Sequence, residues 1–275
     1  MMCNWDALLE ILPPRIRRDV DALGRYTLQE LRLRMGAQPE LVLKRESLWL
    51  EKRCSKEDIA FCIQSASRYS PWTSASIKKG YLTAPGGHRI GLCGLALYQN
   101  GAMTGLREIT SVCIRVARDF PGIARAAPAN GSVLILGAPG WGKTTLLRDL
   151  IRERARDKTV GVVDERGELF PEGFDSGKKT DILRGCRKPE GLELMLRTMS
   201  PACIAVDEIT AVEDCNGLIR AAGCGVSLLA TAHAASLEEF HSRNIYRPLA
   251  EKGIFQWILL MHPDKHFTTE RMMPI

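Results

Sequence analysis

Apolar residues are spaced in two ways along this chain, alternating with polar ones as far as residue 118 and gathering into short unbroken blocks from residue 132. Alternation marks strands with one wet face, and unbroken blocks mark strands buried on both. In the first region YTLQELRLRMGAQPELVLKRESLWL passes from a short helical pattern into strand-like segments, with Gly36 and Pro39 as punctuation. SKEDIAFCIQSASRY comes next with helical spacing. IKKGYLTAPGGHRIGLCGLALYQNGAMTGLREITSVCIRVAR then reads as consecutive antiparallel strands turning at Pro85-Gly86-Gly87 and Asn100-Gly101. The pattern predicts a small α+β domain over residues 1–128. Its junction with the second region is DFPGIARAAPANG, residues 119–131, rich in Pro, Gly and Ala.

Residues 129–275 carry the blocks SVLILG, TVGVVD, ACIAVD, GVSLLAT and FQWILLM. Amphipathic helical stretches separate them, such as KTTLLRDLIRERARD with Leu146, Leu147, Leu150 and Ile151 on one stripe. Strand, helix, strand in this order predicts an α/β domain built on a mostly parallel sheet with right-handed crossovers. Neither an internal repeat nor a low-complexity tract interrupts the pattern.

Composition narrows the class only a little. Hydrophobic content of 45% and charged content of 25% over 275 residues suit an ordinary globular protein of one or two domains. The net charge of +6 is uneven: residues 1–128 hold 19 Lys/Arg against 12 Asp/Glu, and residues 129–275 hold 19 against 20. The basic first half either faces an acidic partner or is a solvated basic face. Nine cysteines, with no C-x-x-C pair and several inside apolar runs, read as reduced thiols rather than a zinc site or a disulfide framework. The first residues, MMCNWDALLEILPPRIRRDV, carry no secretory signal, and no stretch approaches the ~20 apolar residues of a membrane span. A cytoplasmic location is the resulting expectation, with any membrane contact peripheral.

Chemistry enters at Gly137-Ala138-Pro139-Gly140-Trp141-Gly142-Lys143-Thr144, which satisfies G-x-x-x-x-G-K-[ST] between a predicted strand and a predicted helix. Glycines let main-chain N–H groups approach a phosphate, and the helix N-terminus adds a positive end. Lys143 is expected to reach the β and γ groups, Thr144 to ligate Mg²⁺, and Thr145 to complete the phosphate loop. Asp207 ends the CIAVD block and Glu208 is next to it, a metal-side carboxylate beside a group placed to polarise water. The alternative for this pair is a helix cap. Asp164, Glu165 and Glu168 come after another block and belong either to the ligand rim or to an acidic cap before a turn. Thr231 and His233 end the GVSLLAT block, as γ-phosphate readers or as structural residues.

These blocks in this order resemble the stage III sporulation protein AA family of endospore-forming bacteria, which is itself similar to the ATPases of type II and type IV secretion. Further blocks that carry the resemblance are ELRLRMG, GYLTAPGGHRIGL, LREITSVCIRVAR, VDERGE and TDILRGCRKPEGLELMLRTMSP. The resemblance implies a RecA-like P-loop NTPase domain behind a smaller α+β domain, using ATP and Mg²⁺ and assembled as a homo-oligomer, usually a hexameric ring in the relatives. It implies an acidic box at Asp164, Glu165 and Glu168, a histidine box at His233, and an arginine close to the site at Arg197. An arginine supplied by a neighbouring subunit is also implied, with Arg107 and Arg115 as candidates. Two features depart from the family: Thr210-Ala211-Val212 stands where Gly-Arg and acidic residues are expected, and the segment LFPEGFDSGKK after Glu168 is short and suggests a flexible loop.

The leading expectation is an ATP-hydrolysing motor subunit energising a membrane-associated transport complex during endospore formation, acting from the mother-cell cytoplasm beside membrane-embedded partner subunits. One alternative is a RecA-like nucleic-acid motor, disfavoured because aromatics make up only 6% of the chain and Tyr69, Trp72, Tyr81 and Tyr98 are scattered. The other is an ATP-binding scaffold with negligible turnover, motivated by the two departures.

Overall fold

The computed structural model describes residues 3–67, 80–171 and 173–272. Residues 68–79, which include Tyr69, Trp72 and the IKK of the expected strand, lie outside the described residues. By contacts the chain divides into two units, one of Met1–Asp119 with Pro171–Phe174 and the other of Phe120–Phe170 with Asp175–Ile275. Residues 120–128, which composition groups with the N-terminal domain, therefore sit in the second unit. Among their contacts there, the Ala124 N–H donates to the buried Asp149 carboxylate at 2.8 Å and Arg154 Nη2 donates to Pro128 O at 2.9 Å.

The first unit is a six-stranded antiparallel sheet in the order β3-β2-β1-β6-β5-β4. Its strands are β1 (Leu28–Arg34), β2 (Glu40–Leu43), β3 (Ser47–Trp49), β4 (Tyr81–Thr83), β5 (Arg89–Gln99) and β6 (Ala102–Arg115). Leu31, Leu33, Leu41, Ile90, Val112 and Ile114 form its dry face, packed with Leu8, Ile16 and Ile59 from the helices Trp5–Glu10, Pro14–Leu23 and Lys56–Ser67. The β5–β6 turn closes at Asn100 and Gly101 with φ of 53° and 77°, the left-handed pair expected of an Asn-Gly hairpin. His88 is fully buried in this unit; Ala117 N–H donates to its Nδ1 at 3.1 Å, and its Nε2 lies 2.9 Å from Asn4 O.

The second unit holds a seven-stranded sheet in the order β13-β12-β7-β11-β10-β8-β9. The strands are β7 (Val133–Leu136), β8 (Val160–Asp164), β9 (Thr180–Arg184), β10 (Cys203–Val206), β11 (Ser227–Ala232), β12 (Trp257–Met261) and β13 (Phe267–Arg271). Six strands, β12 through β9, run parallel, and β13 pairs antiparallel with β12 at one edge. All five apolar blocks of the sequence are strands here, and β7, β8 and β10 are buried at every position. Parallel strands end on one edge, so residues 137, 165, 207, 233 and 262 share it, the edge where α/β sheets bind ligands. Helices Lys143–Arg154, Lys188–Thr198 and Val212–Gly223 connect the strands. Among the described residues, no helix is long and apolar enough to cross a membrane.

Candidate functional site

β7 delivers the chain into the Gly137–Thr144 loop, and the helix Lys143–Arg154 leaves it. Gly137 has no room for a side chain, since an added Cβ would lie 2.8 Å from Met261 Cβ, and the N-cap Gly142 takes a φ of 102°. Pro139 and Gly140 stand at the rim, and the half-buried Trp141 donates its N–H to Ala138 O at 3.3 Å. Lys143 is 7% exposed. Its ammonium donates to Gly137 O at 2.8 Å, to Ala138 O at 3.1 Å and to His233 Nδ1 at 3.1 Å. Burial pulls the Lys143 pKa below the ordinary lysine value, against the opposing fields of Glu208 and Asp207.

Because β11 lies between β7 and β10, its last residues project between the lysine and the acids that end β10. Thr144 Oγ1 donates to Asp207 Oδ2 at 3.0 Å, and Thr231 Oγ1 donates to Asp207 Oδ1 at 2.8 Å. Glu208 N–H lies 2.9 Å from Asp207 Oδ1 and 2.8 Å from Thr231 Oγ1. These contacts hold Glu208 at a φ of 33°, a conformation that costs an L residue about 1 kcal/mol or more. His233 Nε2 sits 2.8 Å from Glu208 Oε1. With Nδ1 accepting from an ammonium, the ring's remaining proton belongs on Nε2, donating to the carboxylate. Lys143, His233 and Glu208 thus form one hydrogen-bonded chain. A cleft of about 580 Å³ opens on these groups, lined also by Phe120, Ile123, Pro139, Gly140, Thr145, Met261 and Lys265.

The acidic residues at and after the end of β8 separate into different environments. Asp164 is 1% exposed and accepts from the N–H groups of Glu168 (3.0 Å), Leu169 (3.0 Å) and Phe170 (3.5 Å). Burial nevertheless raises its pKa above the ordinary aspartate value. Glu165 accepts from the buried Lys188 ammonium at 2.7 Å, which also lies 3.6 Å from Asp214. Glu168 shares a small recess with Glu165, Arg166, Asp207 and Glu208, and its carbonyl accepts from Arg148 Nη2 at 2.9 Å. The expected flexible loop begins firmly anchored: Leu169 and Phe170 are fully buried, with carbonyls bonded by Arg148 and Arg184.

Arg197 is not brought to this edge. Its helix starts at Lys188, beside Glu165, and runs about 15 Å back along the sheet. There the Arg197 side chain is 77% exposed and pairs with Glu193 at 3.6 Å. Arg107 and Arg115, in the first unit, pair with Glu108 at 3.4 Å and Glu30 at 3.3 Å.

Sequence reasoning missed Arg166, whose guanidinium lies 3.4 Å from Glu208 Oε2. Its signal was its place between two residues of the acidic box. It also missed Lys188, the capping role of Thr210, whose N–H and hydroxyl donate to Asp214 at 2.9 and 3.2 Å, and the apolar lip of the cleft. Among the described residues no cluster of three or more His, Cys, Asp or Glu is arranged as a metal cage. Thr144 and Asp207 put a hydroxyl and a carboxylate side by side, oxygen donors of the kind that could hold a Mg²⁺ jointly with a phosphate.

The family description "Sporulation stage III, protein AA" matches residues 4–271. The chain belongs to that family. It is 35% identical to Stage III sporulation protein AA of Bacillus subtilis (strain 168) over 90% of this chain and 88% of the relative. Among solved structures, the pilus retraction motor PilT with bound ADP matches with a TM-score of 0.64 over 95% of this chain and 82% of its own, at 17% identity. The Legionella pneumophila ATPase DotB matches with a TM-score of 0.58 over 94% of this chain and 80% of its own, at 18% identity. At such identities the likeness is one of fold: this family member shares the fold of PilT and DotB.

Proposed function

We propose that this chain is a RecA-like ATPase, a Mg²⁺-dependent motor subunit that works as a homo-oligomeric ring, and that it energises a membrane-associated complex in endospore formation. The observation that carries the reading is the hydrogen-bonded array of Lys143, Thr144, Asp207, Glu208 and His233 at the mouth of one phosphate-loop helix. Glycine-rich backbone N–H groups and the helix N-terminus receive the phosphates, and Lys143 exchanges His233 for a phosphate oxygen. Thr144 and Asp207 are the oxygen donors that would hold Mg²⁺, which when bound would supply positive charge to the phosphate tail. Glu208, steadied by Arg166, orients the attacking water. Once Lys143 turns to the phosphate, His233 Nδ1 loses its donor, so the ring is placed to report the γ-phosphate to Glu208. Glu165 and Glu168 shape the acidic side of the same edge, and Arg166 supplies the positive charge beside Glu208 whichever residue follows Ile209.

The fold likeness to PilT and DotB and the membership of a sporulation family support the ring, the membrane partner and the mother-cell setting; nucleic acid has no comparable support. Steady-state phosphate release from the purified full chain tests the reading. Turnover is expected for the wild type and absent in Lys143→Ala. Tight ATP binding without phosphate release, even beside membrane partners, would instead establish the scaffold.

A further inference from the structure

The charged and hydroxyl side chains of the cleft serve the phosphate end, leaving an apolar lip without an assigned task. Phe120 is half-buried there, Ile123 is 40% exposed, and Met261, also lining the cleft, is 3% exposed. Phe120 and Ile123 come from the Pro/Gly/Ala-rich stretch that resembles a linker in composition. Its placement is nonetheless specific. Ala124 N–H donates to Asp149 Oδ2 at 2.8 Å, and Asp149, 1% exposed, is held in turn by Arg152 at 3.0 Å. Asp149 stands four residues after Thr145, about one helical turn further along the same face. The 120–124 segment is therefore clamped on the Thr145 side of the phosphate loop, while Asp207, Glu208 and His233 occupy the Lys143 and Thr144 side.

We infer that Phe120 and Ile123 form a nucleobase subsite, which takes the base of a nucleoside triphosphate against its face, with Asp149 as the positioning residue that holds the segment. The inference rests on the nucleotide reading of the cleft. A chain running from the γ-phosphate end past Thr145 arrives at this lip with its sugar and base. The lip offers flat apolar contact, and water leaving an exposed isoleucine and a half-buried phenylalanine favours the docked base. Face contact is blind to the pattern of donors and acceptors on a base edge, so the subsite holds adenine and guanine comparably. Lys265, from the β12–β13 turn, borders the same cleft and adds positive charge to it.

Equilibrium binding of ATP, GTP and inorganic tripolyphosphate to the full chain separates this subsite from the phosphate grip. In the wild type both nucleotides are expected to bind more tightly than tripolyphosphate. Phe120→Ala and Ile123→Ser are each expected to weaken ATP and GTP about tenfold and to leave tripolyphosphate unchanged. Ile123 is exposed and Phe120→Leu is mild, so Ile123→Ser and Phe120→Leu retain the fold and carry the result if Phe120→Ala does not. Equal binding of ATP and tripolyphosphate in the wild type, or variants that weaken neither nucleotide, would overturn the subsite and leave the phosphate grip standing. Loss of ATP and tripolyphosphate alike in the variants would overturn it too. Failure of the wild type to bind either compound would remove the nucleotide reading, and the subsite with it.

Discussion

Asp164 is the last residue of β8 and Asp207 directly follows the neighbouring parallel strand β10; each comes after a run of buried apolar residues, and each is followed by a glutamate. Their surroundings differ in kind. Asp164 spends its oxygens on three backbone N–H groups of its own loop. Asp207 accepts from the hydroxyls of Thr144 and Thr231, which arrive on two other elements, and from the N–H of Glu208. Backbone donors fix a turn and have no other use for their protons. A hydroxyl rotates, and it can turn a lone pair toward a cation when one arrives. An acid at the end of a strand is thus structural or chemical according to what donates to it, and strand-end position alone does not distinguish the two.

Removing the chemical side of this comparison should have the largest effect. Glu208→Gln keeps the size of the side chain and removes its charge, and it is expected to lower phosphate release about a hundredfold or more. Melting temperature and ATP binding should stay near wild type, because the backbone bonds at residue 208 do not involve the side chain. Comparable turnover in the variant would rule out a role for this carboxylate in orienting water. Asp164→Ala should show the opposite profile, a structural loss. It strands three N–H groups in a dry loop, and urea unfolding is expected to report a loss of about 2–3 kcal/mol.

Two buried groups predict opposite pH slopes. Burial raises the Asp164 pKa, so above the ordinary aspartate value of 3.8 the native state binds more protons there than the unfolded chain does. Its contribution is complete at low pH and is lost as pH rises through the folded value. Asp164→Asn should remove that slope, so the deficit of the variant narrows as pH rises from about 4 toward neutrality. His88 is the reverse case. Burial lowers its pKa beneath the ordinary histidine value of 6.5, so the unfolded chain binds more protons below that pH, and stability is lost as pH falls through 6.5 toward the folded value. His88→Gln should flatten this limb; an unchanged slope between about pH 5 and pH 7 would show that the buried imidazole is not its source.

Much of the sheet was legible because a strand buried on both faces must be apolar throughout, as in Val133–Leu136 and Cys203–Val206. Parallel pairing then brings Thr144, Asp207 and His233 to one edge without further information. Edge strands leave no such trace. Thr180–Arg184 is only half-buried and Phe267–Arg271 is mostly exposed, so both were missed. Phe120 and Ile123 were hidden by their own neighbourhood, where Pro, Gly and Ala suggest a linker and the contacts that hold it, such as the Ala124 N–H to Asp149, run through its backbone. Arg166 and Lys188 were hidden by charge: such residues are most often solvated, and only the fold places one beside Glu208 and buries the other between Glu165 and Asp214.

The smallest effect belongs to Arg197, where family resemblance and geometry part. The resemblance puts an arginine close to the nucleotide, but in this chain the helix carrying it begins at the ligand edge and ends at the other. Its ion pair with Glu193 joins two side chains 77% and 67% exposed. An exposed pair four residues apart on a helix is screened by water and contributes little. Arg197→Ala is therefore expected to move stability in urea by no more than the scatter of surface substitutions, about 0.5 kcal/mol, and to leave ATP binding by the isolated chain unchanged. Phosphate release as a function of protein concentration makes the test sharper. An arginine acting from a neighbouring copy would leave the variant normal when dilute and increasingly deficient as copies associate, whereas a solvated surface residue gives parallel curves at every concentration.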